Sequence, residues 1–588
     1  MFSFTLMQVC VPLILAASPQ AAFYVAPDGN DGQAGTLEAP FASVARAQEA
    51  VRERIREGLS EDLLVLLRGG AYRLDKPLVF GPEDGHPKHA VTYAAYPDEQ
   101  PVLSGGQPLS GWVEAGDGKW TVTLPAVKAG TWHFRQLFAD GERLPRGRFP
   151  NGDDLLRVRR VSEDVTRIEL NEALPGGDLA GQDAELVMYQ NWSISRVAVV
   201  SSEGKTVVTR NPVGWIGHGP ATTASPNKPA YIEHVLAFVD QPGEWYLDRR
   251  SGVLTYQAAP GENPKDREFV APRIEQWITV QGRPDAPVRN LHVRGLAFEH
   301  TAWPLPEFGY LGIQAGHHGT KMEERTYVLP LGIAFFHAED CAVEGCRVAH
   351  SGACAIGFGA GCRRNAVTGC TLEDIGGNGI MTGWRGTGNE HSLAGNASLA
   401  ADWRNAADVP QGNAITNNTI QRCGAVNHGS VGIFDAFCAN TRIAHNQVND
   451  MPYTGISIGF EWSTKPTNQR GCALEYNHVY DVMKKLADGG AIYTLGLQPG
   501  TVLRGNLLHT VHRSAYAHGG AHNNGIFFDQ GSKGYLVEGN IIYDTSGDAV
   551  RFNQTGTENL TWKDNHFGVA PDNPAFPKAA AKEAGPRS

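Results

Sequence analysis

Cysteine is scarce, basic residues form no block, and after the first residues the chain has no long apolar run. Nine cysteines are spread over 588 residues. Cys10 lies in the apolar N-terminus, and Cys341, Cys346, Cys354, Cys362, Cys370, Cys423, Cys438 and Cys472 fall in one C-terminal stretch. Cys341 and Cys346 lack the CxxC spacing of a zinc site, which argues against that metal. Lysine and arginine number 51 against 62 acidic residues, a net charge of -11. That balance, without a basic cluster, argues against nucleic acid or an anionic membrane surface as partner. No segment after residue 17 is long and apolar enough to span a bilayer. Glycine (69) and proline (35) are abundant instead, which suits turn-dense β structure.

Residues 2–17 are almost wholly apolar, and Ser18-Pro19-Gln20-Ala21-Ala22 follows before folded-looking sequence begins at Phe23. That resembles a secretory signal, although it lacks a positive n-region. Residues 1–22 are therefore expected to be a signal peptide, the protein secreted or periplasmic, and not membrane-inserted once the signal is removed. Disulfides could form in an exported protein.

The C-terminal half is a repeat. A residue pair followed by a short apolar stretch recurs as Gly345-Cys346, Gly369-Cys370, Asn417-Asn418, His445-Asn446, Tyr476-Asn477, Gly505-Asn506, Gly539-Asn540 and Asp564-Asn565. The second residues are spaced by 24, 48, 28, 31, 29, 34 and 25, so a unit of about 24 residues carries insertions of variable length. Periods in this range signal a solenoid. Each unit holds a second strand marked by Ala355-Ile356, Gly379-Ile380, Gly432-Ile433, Gly455-Ile456, Ala491-Ile492, Gly525-Ile526 or Ala549-Val550. Two short strands per coil exclude a helical solenoid and predict a right-handed parallel β-helix, all-β, with Asn side chains stacked in a ladder at one corner. Cys346 and Cys370 take the Asn place in that corner and read as stacked small side chains. The distance from the pair to the second marker is 10 residues in four units but 15, 15 and 20 in those of Ile433, Ile492 and Ile526, so three coils are enlarged.

Residues 23–110 read as a capping helix, N-capped by Ser43, and the first coils; the helix would cover the open end of the solenoid, where unpaired strand edges invite aggregation. Over 111–272 the repeat gives way to long alternating segments with hairpin turns at Asp140-Gly141 and Ser251-Gly252, predicting an inserted antiparallel, sandwich-like domain. The main β-helix spans 273–570, and residues 571–588 are expected to be a mobile tail.

Neighbouring coils lie about 4.8 Å apart, so polar residues on consecutive coils cluster on one face without any local motif. Carboxylates in the enlarged coils are Asp435, Glu461, Asp488 and Asp529. Asp488 and Asp529 fall on consecutive coils, flanked by glycine or apolar residues. Like charges so placed cost stability unless a site uses them. Glycoside cleavage needs two carboxyl groups, one to protonate the leaving oxygen and one to attack or activate water. Candidate sugar-binding groups around them are Asp435, Glu461, Trp462, Tyr493, His518, His522, Asn524 and Trp384. If the rings of Phe527 and Phe528 shield Asp529, it is the proton donor and Asp488 the nucleophile or base. His518 and His522 have an i, i+4 metal spacing but no helix to align it. Asp435 with Glu461 could bind a structural calcium, although no cofactor is required.

The stretches Phe23-Tyr24-Val25-Ala26-Pro27-Asp28-Gly29-Asn30, Leu67-Arg68-Gly69-Gly70-Ala71-Tyr72 and Phe298-Glu299-His300-Thr301-Ala302-Trp303 resemble glycoside hydrolase family 141. Above all, so do Ala487-Asp488-Gly489-Gly490-Ala491-Ile492-Tyr493 and Gly525-Ile526-Phe527-Phe528-Asp529. The resemblance implies a secreted β-helix enzyme of a family that includes α-L-fucosidase and xylanase activities, with a carbohydrate substrate and Asp488 and Asp529 as the catalytic pair. The other classes to weigh are a polysaccharide lyase, a pectin-type esterase using two aspartates, and a non-catalytic adhesin.

Overall fold

The computed structural model describes residues 21–215, 219, 222–320, 325–383, 406–514 and 522–587. Most of the expected leader lies outside this set; Ala21 and Ala22 open the first strand, Ala21–Val25.

Three long parallel sheets of 12, 11 and 10 strands wind through the chain as a parallel β-helix. The first sheet runs from Ala21–Val25 to Thr561–Lys563, the second from Gly70–Arg73 to His566–Phe567, and the third from Leu78–Phe80 to Val550–Phe552. A coil of the main repeat thus carries three strands, one more than the sequence pattern suggests. The extra strand precedes each recurring pair and in six of the eight copies is only three residues long, as in Ala366–Thr368 or Arg442–Ala444, too short to show a period of its own.

Each recurring pair is the corner between the first and second sheets, and the geometry explains its composition. The first residue of every copy has a left-handed backbone: φ is 58° at Gly345, 66° at Gly369, 58° at Asn417, 56° at His445, 54° at Tyr476, 61° at Gly505, 65° at Gly539 and 50° at Asp564. Glycine and asparagine adopt this region most cheaply. Behind it, Asn418, Asn446, Asn477, Asn506, Asn540 and Asn565 form a ladder. Each donates its side-chain amide to the next Oδ1 at 2.9 Å, and the same oxygen accepts the backbone N–H of the preceding Asn at 3.0–3.1 Å. Cys346 and Cys370 continue the column, with the Cys370 N–H donating to Asn418 at 2.9 Å. The eight described cysteines are buried free thiols.

Inside the third sheet, Ile278, Ile333, Ile356, Ile380, Ile433, Ile456, Ile492 and Ile526 stack in register, all essentially inaccessible to solvent. Strand alternation sends their neighbours outward, so the column through Phe434, Ser457, Tyr493, Phe527 and Arg551 lies on the outer face. The helix Val44–Gly58 closes the N-terminal end: the Ser43 hydroxyl accepts the Arg46 N–H at 3.1 Å, and Arg52 clamps Asp84 through two bonds of 2.7 and 2.8 Å.

Between Gly106–Leu109 and Phe269–Pro272, which pair with each other, the chain leaves the helix and builds antiparallel sheets over two separate apolar cores. A second excursion, unforeseen from sequence, is the meander Tyr310–Gln314, His317–Thr320 and Arg325–Val328, which extends the inserted sheet through Ser195↔Leu311 and Arg196↔Tyr310. The C-terminal tail, expected to be loose, is bonded back along the corner column. His445 meets the Glu583 carbonyl at 3.1 Å, the Gly585 N–H donates to Tyr476 at 2.8 Å, and the Arg587 N–H donates to Asn417 at 3.1 Å.

Candidate active site

Asp529 directly follows the third-sheet strand Asn524–Phe528, which pairs in parallel with Gly490–Thr494. The Tyr493 hydroxyl, one coil earlier, donates to Asp529 Oδ2 at 2.5 Å, and the Asn553 amide, one coil later, donates to Oδ1 at 2.7 Å. Both oxygens are therefore engaged as acceptors, the bonding of an ionised carboxylate. Tyr493 stays a donor, because burial and the charge of Asp529 raise its hydroxyl well above the ordinary tyrosine range.

Asp488 sits on the turn that leads into Gly490–Thr494, with a left-handed backbone at φ 60°. Arg551 donates to its Oδ1 at 2.8 Å, and the guanidinium lies 4.1 Å from the centre of the Phe527 ring. Burial raises the Asp488 carboxyl above the ordinary aspartate range; Arg551 pulls it back, the negative charge of Asp529 pushes it up again, and the net direction is upward. Phe528 points into the core and Phe527 is occupied by Arg551, so neither ring withholds hydrogen bonds from Asp529.

Tyr453 donates to the Asp488 carbonyl at 3.2 Å. Gln314, from the unforeseen meander, interacts through its side chain with the hydroxyls of both Tyr453 and Tyr493. Beside it, His317 stacks on Phe460 at 4.2 Å, and burial lowers its imidazole to about 4, so it is neutral near pH 7. Trp462 packs against the cluster of Tyr493, Leu495 and Phe527.

The other expected site residues separate. Asp435 is not on the face: its register with Phe358, Ile458 and Phe528 turns it inward, where it is fully buried and bonded by the Thr382 hydroxyl and, at 2.7 Å, by Gln469. Strand parity decides this, since Asp435 is two residues from the inward Ile433. Glu461 accepts the Ser463 hydroxyl at 2.5 Å and keeps Oε2 buried without a partner, and among the described residues no group of three or more His, Cys, Asp or Glu is placed to hold a metal ion. Asn524 donates to the Asp548 carbonyl at 2.7 Å and leaves Oδ1 unpartnered, while His522 is exposed. Trp384 and His518 lie outside the described residues. Tyr453, Gln314, His317 and Asn553 escaped the sequence reading. Asn553 was reachable, because it lies one 24-residue coil beyond Asp529.

The fold and this face define a parallel β-helix with an inserted antiparallel domain and two aspartates, Asp488 and Asp529, on consecutive coils. Residues 118–259, within the inserted domain, match the family model described as the GH141 insertion domain. Among solved structures, one described as a glycoside hydrolase aligns over 96% of this chain and 99% of its own, with a TM-score of 0.85 and 24% identity. The complex of XylC with xylose aligns over 90% and 75% at a TM-score of 0.43 and 13% identity. The GH136 lacto-N-biosidase from Eubacterium ramulus aligns over 93% and 68% at 0.37 and 11%. No curated protein matches the sequence significantly.

Proposed function

We propose that the chain is a secreted glycoside hydrolase that cleaves a plant-type polysaccharide or oligosaccharide, α-L-fucosidase- or xylanase-like, with Asp488 and Asp529 as its two carboxyl groups. The observation that carries this reading is the division of labour between two aspartates on consecutive coils. Asp488 is raised toward its protonated form, and both oxygens of Asp529 accept hydrogen bonds, from Tyr493 and Asn553. Such a split is what glycoside cleavage needs. Asp488 donates its proton to the glycosidic oxygen as the bond to the anomeric carbon breaks. Asp529 stabilises the positive charge that develops on the ring, as nucleophile or as the base that activates water. Trp462, half-buried beside Tyr493, supplies apolar surface for a sugar face, and the match to the family 141 insertion domain supports the substrate class.

The test is a screen of aryl glycosides, including α-L-fucoside and β-xyloside, against the parent, Asp488→Asn and Asp529→Asn. Both variants should lose roughly 100-fold or more on substrates with poor leaving groups. On a dinitrophenyl glycoside, which needs no proton, Asp488→Asn should recover a large part of the rate and Asp529→Asn should not. Hydrolysis unchanged by both substitutions would remove the assignment.

A further inference from the structure

A second polar centre lies where the inserted domain meets the β-helix, and it shares no residue with the aspartate pair. Arg135, Arg146 and Arg196 face Glu185 and Glu233, all with side chains 3–11% exposed. Arg135 Nε bonds Glu185 at 3.0 Å, Arg146 Nη1 bonds Glu233 at 2.8 Å, and Arg196 Nη1 bonds Glu185 at 3.2 Å. Three guanidinium groups against two carboxylates leave one positive charge in a buried place. Neighbouring Arg143 adds none, since Asp374 takes its Nε at 2.8 Å. The surplus shows at Arg135, whose guanidinium is brought down to about 10 by burial and by the adjacent Arg146 and Arg196, against the opposing pull of Glu185.

The three arginines and Glu233, with Gln136 and Arg143, line a cavity of about 120 Å³, with the loop at Ala425 and Val426 as its β-helix wall. Five buried polar atoms of its lining have no hydrogen-bond partner, four donors, Arg135 Nη1, Arg143 Nη1, Arg196 Nε and Gln136 Nε2, and one acceptor, Gln136 Oε1. Buried donors are almost always satisfied, and a group of them around one cavity calls for an absent water or ion. Water would satisfy the donors but not the charge. An anion satisfies both, and planar guanidinium groups favour a carboxylate. Arg143 is the least buried of the lining arginines, at 16% exposure against 3–8% for the other three.

We propose that this cavity is an anion-binding site for a carboxylate group, supplied either by an acidic sugar of the substrate or by a free small carboxylate. Binding to the full chain is measured by calorimetry at fixed ionic strength with glucuronate, acetate and, as a neutral control, glucose. Saturable binding of glucuronate but not glucose is expected, weakened at least tenfold in Gln136→Leu, which removes a donor without touching the ion pairs. Glucuronate binding more tightly than acetate assigns the site to an acidic sugar; equal affinities assign it to a free carboxylate. Should Gln136→Leu fail to fold, Arg143→Lys removes the Nη1 donor while keeping the charge opposite Asp374, and the same weakening is expected. No saturable binding of either carboxylate, binding of glucose to the same extent, or carboxylate binding unaltered in the variant overturns the proposal. The readout needs no turnover and is expected unchanged in Asp529→Asn, so it fails or succeeds separately from the glycosidase reading.

Discussion

Tyr493 and Arg551 each hold one of the two aspartates, and each can be removed without adding a charge to the site. Tyr493→Phe deletes the hydroxyl that donates to Asp529 and leaves the ring against Phe527. A hydrogen bond to an ionised group contributes about 1.5–3 kcal/mol, so kcat/KM should fall roughly 10- to 100-fold, with an unchanged circular dichroism spectrum. Arg551 acts in the opposite sense to burial at Asp488. In Arg551→Gln the carboxyl is freed from that pull and rises further, so the alkaline limb of the pH–rate profile should move to higher pH. A limb that stays in place would mean that Asp488 is not the proton donor. Folding stability follows the same direction. A carboxyl raised by folding holds its proton more tightly in the folded chain, so it penalises the folded state as pH rises from the ordinary aspartate range through its folded value. Asp488→Asn lifts that penalty. The variant should therefore melt at the same or a higher temperature than the parent at pH 7 while losing activity, the pattern of a site that trades stability for function.

At the scale of the coil, the Asn ladder does more than fill a corner. Asn477 accepts from Asn446 twice and donates to the Ile443 carbonyl and to Asn506, all within 2.9–3.1 Å. Asn477→Ala leaves the Asn446 N–H and the Ile443 carbonyl buried without partners, a loss of about 2–5 kcal/mol. Asn565→Ala, at the half-exposed end of the same ladder, should cost about 1 kcal/mol, and the two apparent melting temperatures should differ accordingly. The ladder was legible because the corner imposes two requirements at adjacent positions, a left-handed backbone and then an inward amide or small side chain, and few residues meet both. The Ile column was legible for a similar reason. The third strand of each coil was not, being too short for a pattern. Nor was the direction of Asp435, because a carboxylate inside a β-helix contradicts the expectation that charge faces water until its register beside Ile433 is known.

Across the whole molecule, the inserted domain is not an appendage but part of the wall around Asp488. The Ala487 N–H donates to the Asn191 carbonyl at 2.8 Å, the Trp192 indole donates to Ile313 at 2.7 Å, and Arg143 reaches the Ser351 carbonyl at 2.8 Å and Asp374 at 2.8 Å. The insertion was legible in the loss of repeat, but the return of the strands Tyr310–Gln314 and His317–Thr320 to the same sheet, which brings Gln314 and His317 to the site, was not. Pairing between segments more than a hundred residues apart leaves no local trace. Asp374 is the anchor on the β-helix side, where it also accepts from His350 at 2.9 Å. Burial alone would raise its carboxyl, but Arg143 and His350 outweigh that and hold it below the ordinary aspartate range. Its contribution to stability is therefore present above about pH 4, the unfolded value, and is lost as pH falls through the lower folded value. Asp374→Asn leaves Arg143 buried without its counter-charge and should cost about 3–5 kcal/mol at pH 7. Apparent melting temperatures of parent and variant, followed from pH 7 downward, should start apart and converge as acid protonates Asp374 in the parent; a separation that persists below the folded value would show that the carboxylate charge is not what joins the two parts.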